Sequence, residues 1–166
     1  MQSAVRHHTV TTIDELCSAL ETFQRPLTAP ELLEFTFRLQ LSPDHWQEHL
    51  RFNPYRFCFQ TIYESPHFEI NLIGWRSGQY SFVHDHRGTA CCVLILDGTL
   101  TNRDYCTVAG STVSETARFE LGPGEILSRS GWEIHRCGNE QPCGVDLVTL
   151  HLYSPPLRPL SERQFR

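Results

Sequence analysis

Residues 78–98 read GQYSFVHDHRGTACCVLILDG and contain two histidines that are two positions apart. Side chains at positions i and i+2 of a β-strand point to the same face of the sheet, so His84 and His86 can bind one metal ion together if this stretch is a strand. A third histidine, His135, follows in GWEIHRCGN. Because the chain has nine histidines, a chance HxH pair is the alternative. The pattern predicts a metal site.

The composition is that of a globular domain. A length of 166 residues fits one domain, and a net charge of -5 gives no electrostatic reason to expect nucleic acid as a partner. No apolar run approaches the roughly 18 residues of a membrane span, and the first residues do not resemble a signal peptide. The seven cysteines have no zinc-type CxxC spacing, so we interpret them as reduced thiols. We expect a cytoplasmic protein that is a monomer or a weak dimer and does not bind membranes.

Residues 1–50 have helical patterns. In TTIDELCSALETF the apolar residues recur at helical spacing. Thr28 and Glu31 form a capping box around Pro30, which predicts the start of a second helix. The Ser-Pro pair at residues 42–43 predicts a third, short helix over DHWQEHL.

Residues 51–157 have strand patterns. Five segments are aromatic, apolar, or alternate between apolar and polar residues: YRFCFQTIY, FEINLIGW, CCVLIL, VSETARFEL and VDLVTLHLY. The Asp97-Gly98 pair predicts a hairpin between CCVLIL and TLTNRDY. Strand patterns that follow helical ones predict a mainly β fold: an antiparallel barrel or sandwich preceded by N-terminal helices. We expect a single domain over residues 1–166, with a surface tail at 158–166.

The frame around the two histidines resembles the first motif of the cupin superfamily. The spacing from Gly78 through His84 and His86 to Gly98 matches throughout, but Cys91 stands where the motif has glutamate. The resemblance implies a cupin, the jelly-roll barrel also called a double-stranded β-helix. Without the glutamate, three neutral imidazoles would leave the full charge on a divalent ion, which favours an anionic ligand such as a thiolate.

The chain is more specifically similar to the cysteine dioxygenase family of thiol dioxygenases. The resemblance rests on HDH at residues 84–86, Cys91, IHRCGN at residues 134–139 and HLYSPP at residues 151–156. HLYSPP is the most specific of these, because it has no metal-binding rationale of its own. The family implies one Fe(II) per subunit and the O2-dependent oxidation of a small thiol to a sulfinic acid. Free L-cysteine is the first substrate expected.

The resemblance also implies residue roles. His84, His86 and His135 match the iron ligands of the family. Tyr153 matches the active-site tyrosine, and His151 matches the histidine that hydrogen-bonds its hydroxyl. The alternation of side chains along a strand supports part of this assignment, because residues 149, 151 and 153 share one face of the last strand.

Two further features of this region follow from the same resemblance. Cys91 matches a cysteine that in some members forms a thioether cross-link to the tyrosine, here Tyr153. The Ser154–Pro155 bond matches a cis peptide bond of the family, and cis bonds are almost confined to proline.

The residue that binds the substrate carboxylate does not follow from the motif. Cysteine dioxygenases have a Tyr-x-Arg pattern near the first strand, whereas this chain has Tyr55, Arg56 and then Phe57. Arg56 is one position early, which turns it to the other strand face unless a bulge intervenes. Gln60 lies on the face of Arg56, and relatives that oxidise 3-mercaptopropionate use a glutamine. Tyr55, Arg56 and Gln60 are therefore the predicted substrate-binding residues.

Two other functions are compatible with three histidines. One is a zinc cupin that hydrolyses its substrate through activated water, although Asp85 is the only obvious general base near the histidines. The other is a cupin that binds a metal and a ligand as a sensor, without turnover. The pairing of Cys91 with Tyr153 and the HLYSPP block favour the dioxygenase.

Overall fold

The computed structural model describes residues 9–157, so residues 1–8 and the predicted tail at 158–166 lie outside the described part. Helix α1 is Ile13–Glu21 and helix α2 is Ala29–Thr36. The predicted capping box is confirmed, because the Glu31 carboxylate accepts the Thr28 N–H at 2.9 Å. Within residues 9–157, no helix has the length and apolarity needed to cross a membrane.

The predicted third helix is instead a pair of 3₁₀ turns, Pro43–His45 and Gln47–His49. The remainder of the described chain is mainly β, as predicted. The strands are β1 Cys58–Glu64, β2 Glu69–Trp75, β3 Ala90–Asp97, β4 Leu100–Ala109, β5 Thr112–Leu121, β6 Ile126–Arg129, β7 Ile134–Gly138 and β8 Leu147–Ser154.

These strands form two antiparallel sheets. A five-stranded sheet has the order β1-β2-β8-β3-β6, and a three-stranded sheet has the order β5-β4-β7. Strand β8 lies at the centre of the larger sheet, between β2 and β3. The Ser154–Pro155 bond at its end is cis, as the resemblance implied.

Both faces of β8 are buried, which explains its nearly continuous apolar sequence. Val148, Leu150 and Leu152 belong to the core that contains the buried residues of both helices. Leu147 and Tyr153 belong to a second core together with residues of β3, β4 and β7. The helices therefore cover one side of the larger sheet, and the other side faces the barrel interior.

The prediction of a hairpin at Asp97-Gly98 is wrong. Strand β3 pairs with β6 and β8, whereas β4 pairs with β5 and β7 in the other sheet. Gly98 has a φ of 79°, and its turn carries the chain from one sheet to the other. The sequence patterns also missed β6 and β7, which are only four and five residues long.

Candidate metal centre and cavity

Three histidines converge inside the barrel. Each of His84, His86 and His135 offers one ring nitrogen to a group whose atoms lie within 4.8 Å of one another. His135 is on β7, and it forms an antiparallel bridge with His84 through two backbone hydrogen bonds of 2.9 Å. The HxH pair is not part of a regular strand, contrary to the simplest expectation. The bridge to β7 brings the three rings together instead.

The outer ring nitrogens of two of these histidines are held in place. Nδ1 of His84 lies 2.7 Å from the Phe82 carbonyl oxygen. Nδ1 of His135 lies 2.8 Å from Oδ1 of Asn102. Since both partners are acceptors, each Nδ1 carries the hydrogen and each Nε2 presents a lone pair to the centre. Nδ1 of His86 is buried and has no hydrogen-bond partner.

Burial keeps these imidazoles neutral. It is the main cause that lowers the pKa of His84, and it lowers the pKa of His86 to about 3. The pKa of His135 falls well below the usual range, again mainly through burial and then through the neighbouring histidines. Neutral imidazole is the form that binds a metal ion. Three such donors without an anionic ligand fit a divalent transition metal.

A hydrogen-bonded chain extends outward from His135. Nδ2 of Asn102 donates to Oδ1 of Asp104 at 2.7 Å, and Nη2 of Arg129 donates to the same oxygen at 2.5 Å. Asn102 is fully buried, and its amide is oriented by Asp104 so that its oxygen faces the ring of His135. These hydrogen bonds therefore fix the ring of His135 through two strands of the smaller sheet and β6 of the larger one.

A second chain ends at Tyr153. The indole N–H of Trp75 donates to Oγ1 of Thr149 at 2.9 Å. That hydroxyl lies 3.0 Å from Nε2 of His151, and Nδ1 of His151 lies 3.0 Å from the Tyr153 hydroxyl. If Thr149 donates to Nε2, Nδ1 carries the hydrogen and donates to the phenol oxygen. Every buried group in this hydrogen-bond network then has a partner, and the phenol hydrogen of Tyr153 is left for the Cys91 sulfur or for a molecule in the cavity.

Cys91 and Tyr153 are direct partners across β3 and β8. Both side chains are buried, and burial is the main cause that raises the pKa of the Cys91 thiol and of the Tyr153 hydroxyl well above their usual ranges. A hydrogen bond between the two groups adds to the rise in the pKa of Tyr153 and opposes the rise in the pKa of Cys91, where burial outweighs it. Both groups are therefore protonated at neutral pH.

The histidines open into a cavity of about 390 Å³. Its wall on the larger sheet carries Tyr153 and His151, and its outer part is aromatic. Phe59 and Phe82 stand at the opening, where they are 58% and 76% exposed. Such a volume and lining are typical of a small-molecule site.

The structure does not bring the predicted substrate-binding residues to this cavity. Tyr55, Arg56 and Gln60 line an adjoining surface depression, which shares Phe57 and Phe59 with the cavity, and Tyr55 is 92% exposed. Phe57 and Phe59 line the cavity instead. Because neighbouring side chains alternate between the faces of a strand, Gln60 of β1 points away from the face of Phe59, whereas Arg56 lies in a bend before β1.

Sequence reasoning missed two polar residues of the cavity wall, Glu69 and Asn71. They stand two positions apart in the otherwise apolar FEINLIGW, and this alternation was the available signal. It also missed Asn102 and Asp104, which alternate in the same way in TNRDY. In each case a pair of polar side chains on one strand face marks contact with the site.

Comparison with known proteins supports the resemblance. The family model described as cysteine dioxygenase type I matches residues 1–164. A cysteine dioxygenase type 1 of Danio rerio is 25% identical over 155 residues, which cover 89% of this chain and 76% of the relative. The Homo sapiens protein of the same name is 25% identical over 121 residues, which cover 69% of this chain but only 58% of the relative.

Solved structures match the barrel. A crystal structure from Thermus thermophilus has a TM-score of 0.55 and 20% identity, and the match covers 66% of this chain and 92% of that one. A cupin superfamily protein from Desulfitobacterium hafniense has a TM-score of 0.51 and 14% identity, with coverages of 64% and 84%. At these identities the matches show the fold alone, and the fold is that of a cupin.

Proposed function

The chain belongs to the cysteine dioxygenase type I family, and we propose that it is a mononuclear non-heme iron dioxygenase that oxidises a small thiol to a sulfinic acid. The observation that carries the proposal is the position of Tyr153, which reaches the wall of the same cavity as the three neutral histidines. L-Cysteine, giving cysteine sulfinic acid, is the reference substrate that the family suggests. 3-Mercaptopropionate is the alternative.

The donor set fits the proposed iron. His84, His86 and His135 would hold one Fe(II) per subunit through nitrogen atoms. Bound there, Fe(II) would supply the O2 chemistry and lower the pKa of the substrate thiol, so that it binds as the thiolate. A ligand set of neutral imidazoles leaves the positive charge of the ion available to that thiolate.

The protein groups orient the reactants. Tyr153 would donate its phenol hydrogen toward the substrate or the oxygen, because Nδ1 of His151, which Thr149 holds in place through Nε2, donates to the phenol oxygen. The aromatic side chains at the opening would exclude water from the reacting atoms. His151 would act as a positioning residue, since its Nδ1 contacts the tyrosine hydroxyl.

Cys91 would modify the tyrosine. Its cross-strand pairing with Tyr153 places the thiol beside the phenol ring, which supports a thioether between sulfur and ring carbon. Forming that bond would remove one hydrogen from each group, with O2 as the oxidant. Intact-mass measurement would test it, because the cross-linked chain is lighter by two hydrogen atoms.

The remaining parts of the proposal concern setting and partners. A small thiol and O2 would be the reactants, and the chain would act without nucleic acid or membrane. The cysteine-rich composition supports a reducing cytoplasm as its location. Light scattering would test the expected monomer or weak dimer.

The decisive experiment is O2 consumption by the Fe(II)-loaded protein with a panel of thiols, with ¹⁸O2 used to trace the product. We expect a sulfinate that contains two labelled oxygen atoms. The His135→Ala variant should lose both iron and turnover, whereas His45→Ala, at an exposed histidine outside the site, should keep both. Normal iron content and turnover in His135→Ala would contradict the ligand assignment. O2 uptake by the iron protein distinguishes this function from a zinc hydrolase or a sensor.

A further inference from the structure

The charges of the cavity are unusual for a site that binds an amino acid. Among the described residues that line it, none is arginine or lysine, and Glu69 is the one acidic side chain. A guanidinium does stand next to Cys91 in the larger sheet, since Arg129 of β6 is the cross-strand partner of Cys91. This guanidinium is paired with Asp104 and does not line the cavity. A substrate carboxylate would therefore find no cationic side chain among these residues.

Glu69 lies close to the reacting groups. It is the direct cross-strand partner of Tyr153, as Cys91 is on the opposite side. A row of the larger sheet thus places Glu69, Tyr153 and Cys91 side by side on the face that lines the cavity. Direct partners of antiparallel strands have Cβ atoms about 5 Å apart. A small molecule that contacts Tyr153 is then within reach of the Glu69 carboxylate.

The Glu69 carboxylate is held in a fixed orientation. Oε1 accepts a hydrogen bond of 2.8 Å from Nδ2 of Asn71, and Oε2 accepts one of 3.0 Å from the Leu157 N–H. Asn71 is itself fixed, because its Oδ1 accepts from the Thr61 hydroxyl at 2.9 Å. A carboxylate oxygen can accept two hydrogen bonds, so both oxygens keep acceptor capacity toward the cavity.

An ammonium group complements this site, and a carboxylate does not. An ammonium has three donors that can use the remaining lone pairs of Glu69, and a hydrogen bond between charged groups is stronger than one between neutral groups. A carboxylate in the same place would be repelled by Glu69. It would also lose its hydration against Phe57, Phe59 and Ile73, whose side chains offer no hydrogen bond in return.

Resting on the proposed function, we infer that the substrate is an aminothiol: a small thiol that carries a cationic amine and no carboxylate, with Glu69 as the partner of the ammonium. Cysteamine is the simplest molecule of this class. Glu69 is then a specificity-determining residue, and the substrate differs from the L-cysteine and 3-mercaptopropionate suggested by the family resemblance.

Four small thiols distinguish the contribution of the amine from that of the carboxylate. Cysteamine has only the amine, L-cysteine has both groups, 3-mercaptopropionate has only the carboxylate, and 2-mercaptoethanol has neither. We expect kcat/KM for cysteamine to exceed that for 2-mercaptoethanol and L-cysteine by about tenfold or more, with 3-mercaptopropionate lowest. A higher kcat/KM for L-cysteine or 3-mercaptopropionate than for cysteamine would overturn the inference and leave the dioxygenase function standing. Turnover of none of these thiols by the iron-loaded protein would contradict both.

The Glu69→Gln variant tests the assigned partner. Glutamine keeps the shape and one oxygen acceptor but removes the charge, so the preference for cysteamine over 2-mercaptoethanol should fall about tenfold or more. Calorimetric titration of the iron-loaded protein without O2 should show the same loss in the Kd for cysteamine. Glu21→Gln, at an exposed position of α1 away from this sheet face, is the matched control and should leave both quantities unchanged. An unchanged preference in Glu69→Gln would reject Glu69 as the ammonium partner.

Discussion

Oδ1 of Asn102 lies 2.8 Å from Nδ1 of His135, and both side chains are buried. The amide therefore selects which ring nitrogen of His135 carries hydrogen and which one faces the metal site. Asp104 holds the amide from its other side. Asn102, which is not one of the three proposed metal ligands, thus orients the ring of one of them, His135.

Replacing Asn102 with leucine should weaken metal binding. The ring of His135 would lose its acceptor and its fixed orientation, and loss of such a partner typically costs about 10- to 100-fold in metal affinity. Competitive metal titration would measure the change. Gln24→Leu, which removes an exposed amide far from the histidines, should bind metal as the unmodified protein does. An affinity unchanged in Asn102→Leu would show that the hydrogen bond does not orient the ring.

Tyr153→Phe should keep iron and lose most of its activity. The substitution removes one hydroxyl that donates into the cavity, and the loss of one such donor typically lowers kcat about 100-fold or more. Steady-state O2 uptake and iron analysis would separate the two properties. Tyr63→Phe, a tyrosine that packs against the helix-side core, should retain turnover. Undiminished turnover in Tyr153→Phe would remove this hydroxyl from the mechanism.

Thr149→Val should affect both stability and catalysis. It would leave the Trp75 indole N–H and the Nε2 atom of His151 without their partner, and an unsatisfied buried polar group costs about 1–3 kcal/mol. The free energy of unfolding from urea titration would report the first effect, and kcat the second. Thr107→Val, the same substitution at an exposed position of β4, is the control. If Thr149→Val and Thr107→Val have the same free energy of unfolding and the same kcat, the hydrogen bonds that link Trp75 to Tyr153 have no functional role.

Phe57→Arg should shift substrate preference toward carboxylates. Phe57 lines the cavity and stacks on Trp75 with ring centroids 4.5 Å apart, and a guanidinium can stack on the same indole. The new cation should lower KM for 3-mercaptopropionate by about tenfold or more. Phe37→Arg, at an exposed position after α2, should leave KM unchanged. A KM that does not fall in Phe57→Arg would contradict the view that the missing cation limits carboxylate binding.

Glu140 should make the fold sensitive to acid. Burial alone would raise the pKa of its carboxyl, but hydrogen bonds from Arg118 and Arg103 lower it below its usual value. A depressed pKa in the folded state contributes stability that is present above the unfolded value of about 4.3 and is lost as pH falls through the folded value. Glu140→Gln should therefore unfold more easily at pH 7, by about 0.5–1 kcal/mol, and show a smaller loss at low pH.

Urea titrations at neutral and acidic pH would test the Glu140 prediction. Glu64→Gln removes an exposed carboxyl of β1 and should change stability little at either pH. Equal free energies of unfolding for Glu140→Gln and the unmodified protein across this range would show that the two arginines do not stabilise the fold through Glu140.

The sequence predicts local features and side-chain spacing better than long-range pairing. The capping box at Thr28 depends on residues three apart, and the structure confirms it. The Asp97-Gly98 turn is also local, but its neighbours join different sheets because β3 finds its partners in β6 and β8, both much later in the chain. No pattern around Asp97 contains that information.

The same limit applies to the site. The motifs identified the three histidines, and the structure brings them together. Arg56 was predicted to bind the substrate, but it does not line the cavity. Its position one residue before Phe57 was the sign, in the absence of a bulge, that it faces the other way. The charge of the cavity could not be predicted in this way, because Glu69 becomes a neighbour of Tyr153 only through the register of β2 with β8.

Strand β8 has a consequence for how this protein can change by mutation. Its residues His151 and Tyr153 line the cavity, while Leu150 and Leu152 pack beneath the helices. An enlarged or truncated side chain on the helix side would displace the backbone that carries the tyrosine. Substitutions in the helix-side core should therefore affect the position of Tyr153 as well as stability. Variants selected in the laboratory for a new substrate should carry compensating changes in the helices as well as at the cavity wall.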